Sequence, residues 1–109
     1  MSDRPSPTDP WLSERYPTLA RLFAAYLHQD WRMEAKTPFD AVRQFRTDDG
    51  QAAAEAACGD IARLLQDMSG EADLLAAIDT LGSDYSPALE DIPAREWLAR
   101  VAKHLEAAG

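Results

Sequence analysis

The sequence is poor in cysteine, in bases over its central part, and in long apolar runs. Its one cysteine, Cys58, has no partner for an internal disulfide and cannot bind a metal alone. The cytosol is therefore the simplest compartment. No apolar run approaches the roughly 20 residues that span a bilayer. The opening Met1-Ser2-Asp3-Arg4-Pro5 leads into no apolar segment, so no secretory signal is expected. Period-two alternation is missing, and no Asn-Gly or Asp-Gly pair lies between strand-like runs, which argues against hairpins. No glycine-rich loop precedes a helix as a phosphate cradle does, and there are no internal repeats.

At 109 residues the chain is expected to build one domain around one core. Its charge is uneven. Residues 48–91 hold eleven acids and one base, Arg63, a local charge of −10, whereas the rest holds eight acids and ten bases, +2, for the formal total of −8. Such a balance disfavours nucleic acid and anionic membranes and attracts basic partners. Solubility alone also requires some net charge.

Pro5, Pro7 and Pro10 mark residues 1–15 as a flexible leader, with Trp11 and Leu12 as a tether to the core. Residues 16–109 read as the helical domain. Pro17 suits a first helical turn, and Leu19, Leu22, Phe23, Tyr26 and Leu27 follow on one face. Thr37 caps a second helix opened by Pro38, with Phe39, Val42 and Phe45 inward and Arg43 and Arg46 towards water. Asp48-Asp49-Gly50 ends it and caps a third, in which Ala54, Ala57, Cys58, Ile61, Leu64, Leu65 and Met68 share a face. Gly59 inside that helix costs about 1 kcal/mol against alanine, and a closely approaching helix is one reason to tolerate it. Ser69 caps a fourth helix bearing Leu74, Leu75, Ile78 and Leu81, ended by Gly82. After a loop with Pro87, Pro93 opens a fifth carrying Ala94, Trp97, Leu98, Val101 and Leu105. The expected fold is all-α, a single-domain bundle of about five short helices.

Chemistry concentrates in Tyr26-Leu27-His28-Gln29-Asp30-Trp31. His28 and Asp30 form either an acid–base pair, as a small hydrolase or transferase would use, or a polar latch at the exit of the first helix. Two residues apart, they face different sides of any helix, which favours the latch: His28 bonded to a backbone carbonyl or a carboxylate, and Asp30 capping the next turn. His104 and His28 make no zinc-ligand spacing, so no metal is expected. Cys58 sits on an apolar stripe among acids, an inert core position. The aromatics lack an interleaved basic patch, so nucleic acid is not expected. Asp84, Tyr85, Glu90 and Asp91 on the proline-stiffened loop, with Asp73 and Asp79 nearby in sequence, form a candidate recognition surface for a basic protein. No cofactor is expected.

Tyr16-Pro17 through Leu22-Phe23, followed by the Tyr-Leu-His-Gln-Asp-Trp block, resembles the opening of bacterial immunity proteins for contact-dependent growth inhibition. The likeness continues through Pro38 to Phe45, Leu64-Leu65, Leu81-Gly82 with Tyr85 and Pro87, and Arg95-Glu96-Trp97-Leu98, covering residues 16 to 105. It implies a small cytosolic helical protein that binds the toxic C-terminal domain of a secreted effector, a domain that in many such systems is a nuclease. Tyr26, His28, Gln29, Asp30, Trp31 and Trp97 are the motif residues carried over, and most of them read as architectural. A Ser or Gly cap expected before the last helix is absent at Asp91-Ile92-Pro93-Ala94. A helical adaptor for another basic protein is the alternative reading.

Overall fold

Prolines and glycines punctuate the chain where the sequence places them. The structure, a computed structural model, describes residues 6–106, the Glu34 side chain excepted. Among these residues there are seven α-helices, a 3-10 turn and no strand. They are α1 (Leu12–Arg15), α2 (Pro17–Tyr26), α3 (Trp31–Glu34), α4 (Pro38–Asp49), α5 (Gln51–Asp67), α6 (Glu71–Thr80), the 3-10 turn (Pro87–Glu90) and α7 (Ala94–Glu106). Five of them are the expected helices; α1, α3 and the 3-10 turn are short additions at their joints. No helix among the described residues is long and apolar enough to cross a membrane.

The core lies where α5 and α7 meet, with α2 and α4 against them and α6 beside α7. Leu19, Leu22 and Phe23 of α2, Val42 and Phe45 of α4, Ile61 and Leu64 of α5, and Trp97, Leu98 and Val101 of α7 fill it. Each such side chain contributes about 1.5–3 kcal/mol when taken fully from water. Trp97 is wholly buried between Phe23, ring centroids 5.8 Å away, and Tyr85 at 5.3 Å.

The helix ends show which local signals acted. Thr37 caps α4 as expected, and Asp40 makes the cap reciprocal: the Asp40 N–H donates to Thr37 Oγ1 at 3.1 Å and the Thr37 N–H to Asp40 Oδ2 at 3.2 Å. Gly82 closes α6 as the pattern predicts, with the Gly82 N–H on Asp79 O and the Ser83 N–H on Ile78 O. Elsewhere the expectations need correction. Asp48 and Asp49 continue α4, and α5 starts from Gly50 with no side-chain cap. Gly70, not Ser69, stands at the cap position of α6, again without a side-chain bond. A Cβ at Gly59 would meet nothing within 4 Å, so no neighbouring helix explains that glycine. Arg46 is half-buried rather than turned to water.

Two helices that begin with proline chemistry and no local cap take their caps from other helices. Oδ2 of Asp60, on α5, accepts the N–H groups of Thr18 (2.9 Å) and Leu19 (3.0 Å) in the first turn of α2. Its other oxygen pairs with Arg63. Asp60 is only 3% exposed, so a charged acceptor sits in the interior against two orphan donors and the positive end of a helix dipole. Both oxygens of Glu71, on α6, lie 2.9 Å from the Ala94 N–H at the start of α7. That carboxylate stands where the sequence lacked a Ser or Gly cap.

Residues 1–5, part of the expected leader, lie outside the described residues. Of the rest, Leu12 is fully buried and Thr80 Oγ1 donates to the Pro7 carbonyl at 2.7 Å, so this stretch runs against α6. Trp11, expected to dock beside Leu12, is 69% exposed. Trp11 stands at the cap position before α1, and of the two only Leu12 faces the core.

Candidate functional site: an acidic groove between a turn and a loop

Leu27 to Trp31 leaves α2 as a tight turn, and residues 81–86 leave α6 beside it. One backbone bond stitches the two: the Asp84 N–H donates to Leu27 O at 2.7 Å. Gly82 permits this approach. Its φ is +109°, and a Cβ there would lie 3.2 Å from Ala24 Cβ and 3.3 Å from Ala24 Cα. Both the backbone sign and the space therefore demand glycine. Below the seam, Trp31 meets the Tyr85 ring edge-on at 5.9 Å, and Tyr85 rests on Trp97. Ser83, also buried, donates from its hydroxyl to Tyr85 O at 2.8 Å.

Within the turn, His28 Nδ1 accepts the backbone N–H of Asp30 at 3.0 Å, and the Trp31 N–H donates to His28 O. At Nδ1 the imidazole thus takes a backbone N–H. Asp30 occupies the cap position of α3, but its carboxylate makes no capping bond.

That carboxylate is turned elsewhere. His28, Gln29, Asp30, Asp79, Gly82, Ser83 and Asp84 line an open groove of about 490 Å³. Asp30, Asp79 and Asp84 are exposed, and among the described residues their carboxylates make no hydrogen bond or ion pair. Two sets of residues that the sequence kept apart, the His-Gln-Asp turn and the acids of the later loop, thus share one surface.

The other candidate acids are distributed differently. Glu90 accepts the Tyr85 hydroxyl at 3.0 Å. Tyr85 is 4% exposed, a core ring and not the surface aromatic that a loop position led us to expect. Burial, then the bond to Glu90, push its hydroxyl up to about 12. Asp91 adopts a left-handed φ of 58° and borders a separate shallow depression with Glu71 and Pro93. Asp73 lies exposed in the first turn of α6, outside the groove.

Cys58 is half-buried rather than a fully buried core residue: Sγ donates to Ala102 O at 3.5 Å, and burial, then nearby Glu106 and Glu55, raise its pKa, which disfavours the thiolate. Among the described residues no three His, Cys, Asp or Glu side chains are placed to hold a metal ion.

These features define a small helical protein whose distinctive chemistry is a set of exposed carboxylates, displayed over an aromatic core. The family model described as CdiI immunity protein matches residues 15–105, and the chain belongs to that family. It is thus an immunity protein of contact-dependent growth inhibition, an inhibitor that binds a cognate toxin and not an enzyme. No curated protein and no solved structure matches the chain.

Proposed function

We propose that the chain neutralises its cognate toxin by one-to-one occlusion in the cytoplasm, and that the toxin is the basic, nuclease-type C-terminal domain of a larger effector. The carrying observation is the groove in which Asp30, Asp79 and Asp84 converge, and to which no lysine or arginine among the described residues is paired. A nuclease must hold a polyanion, so its working face is basic, and an acidic surface complements it. Asp73, Glu90 and Asp91 extend the negative field around the groove, and Tyr85 contributes from below by holding Glu90.

Co-expression of the chain with the toxin domain encoded beside it tests the proposal, scored by growth and by co-purification. Rescue with a one-to-one complex is expected. The association rate should fall steeply as salt rises, because steering between exposed charges is screened over about 10 Å at 0.1 M ionic strength. A salt-independent rate, or a toxin domain with no basic face, would overturn the electrostatic reading.

A further inference from the structure

A second concavity, of about 470 Å³, opens on another side of the Tyr26–Trp31 segment, between the end of α2, α3 and α4. Its walls are the rings of Tyr26 and Trp31 and the small side chains of Ala25, Ala35 and Ala41, with Asp48 on the polar side. The three alanines leave the space open. The rings are fixed: Tyr26 meets Phe45 edge-on at 5.5 Å, and Trp31 is 4% exposed.

The state of Asp48 is the telling detail. Its two oxygens accept from neutral donors, the Tyr26 hydroxyl at 3.0 Å and the Gln44 amide at 2.8 Å. No lysine or arginine among the described residues pairs with it, whereas Asp49 next door is matched by Arg21. The carboxylate is therefore held in place by neutral donors, with no cation bonded to it among the described residues. Burial, then the bond to Asp48, raise the Tyr26 hydroxyl to about 12, which keeps that donor protonated at neutral pH. A pocket with aromatic and methyl walls and one oriented carboxylate matches a long basic side chain, whose stem is apolar and whose head is cationic. The Trp31 ring already supports one cation, the Arg32 guanidinium 5.1 Å from its centroid.

We propose that this pocket receives a lysine or arginine side chain of the cognate toxin domain and anchors the complex there, apart from the acidic groove. The inference rests on the toxin-binding reading above and adds the contact through which binding is centred, since affinity usually concentrates in a few filled pockets.

Calorimetry with the purified full chain and the purified toxin domain tests it. Asp48→Asn should weaken binding about tenfold or more. Glu14→Gln, the same charge change on exposed α1, should leave it within about twofold. Circular dichroism and a melting curve check that both variants fold. Ala25→Trp, which fills the pocket from an exposed position, should weaken binding as Asp48→Asn does. Undiminished binding by Asp48→Asn and Ala25→Trp overturns the pocket while leaving toxin binding intact.

If the wild-type chain binds no toxin domain, the functional reading fails, and the pocket is decided by NMR titration with N-acetyl-arginine methylamide. Shifts at Tyr26 and Trp31 that its uncharged citrulline analogue does not reproduce support the pocket. Equal shifts, or none, overturn it.

Discussion

Asp60 and Asp84 are the same residue type in the same acidic half of the chain, yet they work in opposite ways. Asp60 is buried, and every bond it makes is internal: two helix N–H groups and one arginine. The Asp84 carboxylate is exposed and makes no bond within the described chain. The contrast extends to their neighbours. Asp67, Asp48 and Glu90 each accept a tyrosine hydroxyl, and Glu71 caps α7. Asp30 and Asp79 face the groove with no side-chain bond among the described residues. The acidity of the sequence is thus two populations, one bonded within the fold and one left for a partner, with Asp48 and Glu90 serving in both.

The largest expected effect that would break this division is at Asp60. Asp60→Ala leaves the Thr18 and Leu19 N–H groups without an acceptor and should cost about 2–3 kcal/mol in urea unfolding. A loss below about 0.5 kcal/mol would mean that the buried carboxylate is not structural.

The next concerns the tyrosines. All three in the chain donate to a carboxylate. Tyr26 and Tyr85 are raised from 10.0 to about 12, by burial first and the hydrogen bond second, and Tyr16 is raised also. Because the folded values lie above the unfolded one, this stabilisation is fully present below pH 10 and is lost as the pH rises through about 12. Absorbance at about 295 nm should therefore show little tyrosinate at pH about 11 in the folded chain and much more in urea. A folded chain that is half-ionised near the ordinary value would show the pairs to be loose.

Glu71→Ala should cost about 1 kcal/mol, the usual value of a helix cap, in the same unfolding assay. The smallest change in stability is expected at the groove. Asp79→Asn with Asp84→Asn should move stability by no more than about 0.5 kcal/mol while slowing association with the toxin domain. A large loss of stability in that pair would erase the distinction between the two populations.

Periodicity made the five main helices legible, because each presents a regular apolar stripe, and Thr37 and Gly82 marked ends by chemistry local to them. What stayed hidden was set by distant partners. Asp60 reaches Thr18 across 42 residues and Glu71 reaches Ala94 across 23, and no window of sequence contains either pair. One signal was available for Asp60: it interrupts the stripe running from Ala57 and Ile61 to Leu64, so its burial was written in the pattern. Tyr85 was read from its loop, but the ring belongs to the line through Trp31, Tyr85, Trp97 and Phe23. The groove was half visible. The turn at His28 to Asp30 and the acids Asp79 and Asp84 stand in separate stretches of sequence, and the bond from Asp84 to Leu27 that unites them is a matter of tertiary approach.

The borrowed caps also bear on how the protein comes into being at the ribosome. Synthesis makes α2 long before Asp60 exists, so the first helix emerges with its leading N–H groups open to water and waits for its acceptor. The last helix has the reverse fortune, since Glu71 precedes α7 and stands ready when Ala94 appears. A chain stopped at Ile92 would lack the core side chains Trp97, Leu98 and Val101 and should show neither native helicity nor rescue of a poisoned cell. For an antidote, that makes half a molecule worth nothing.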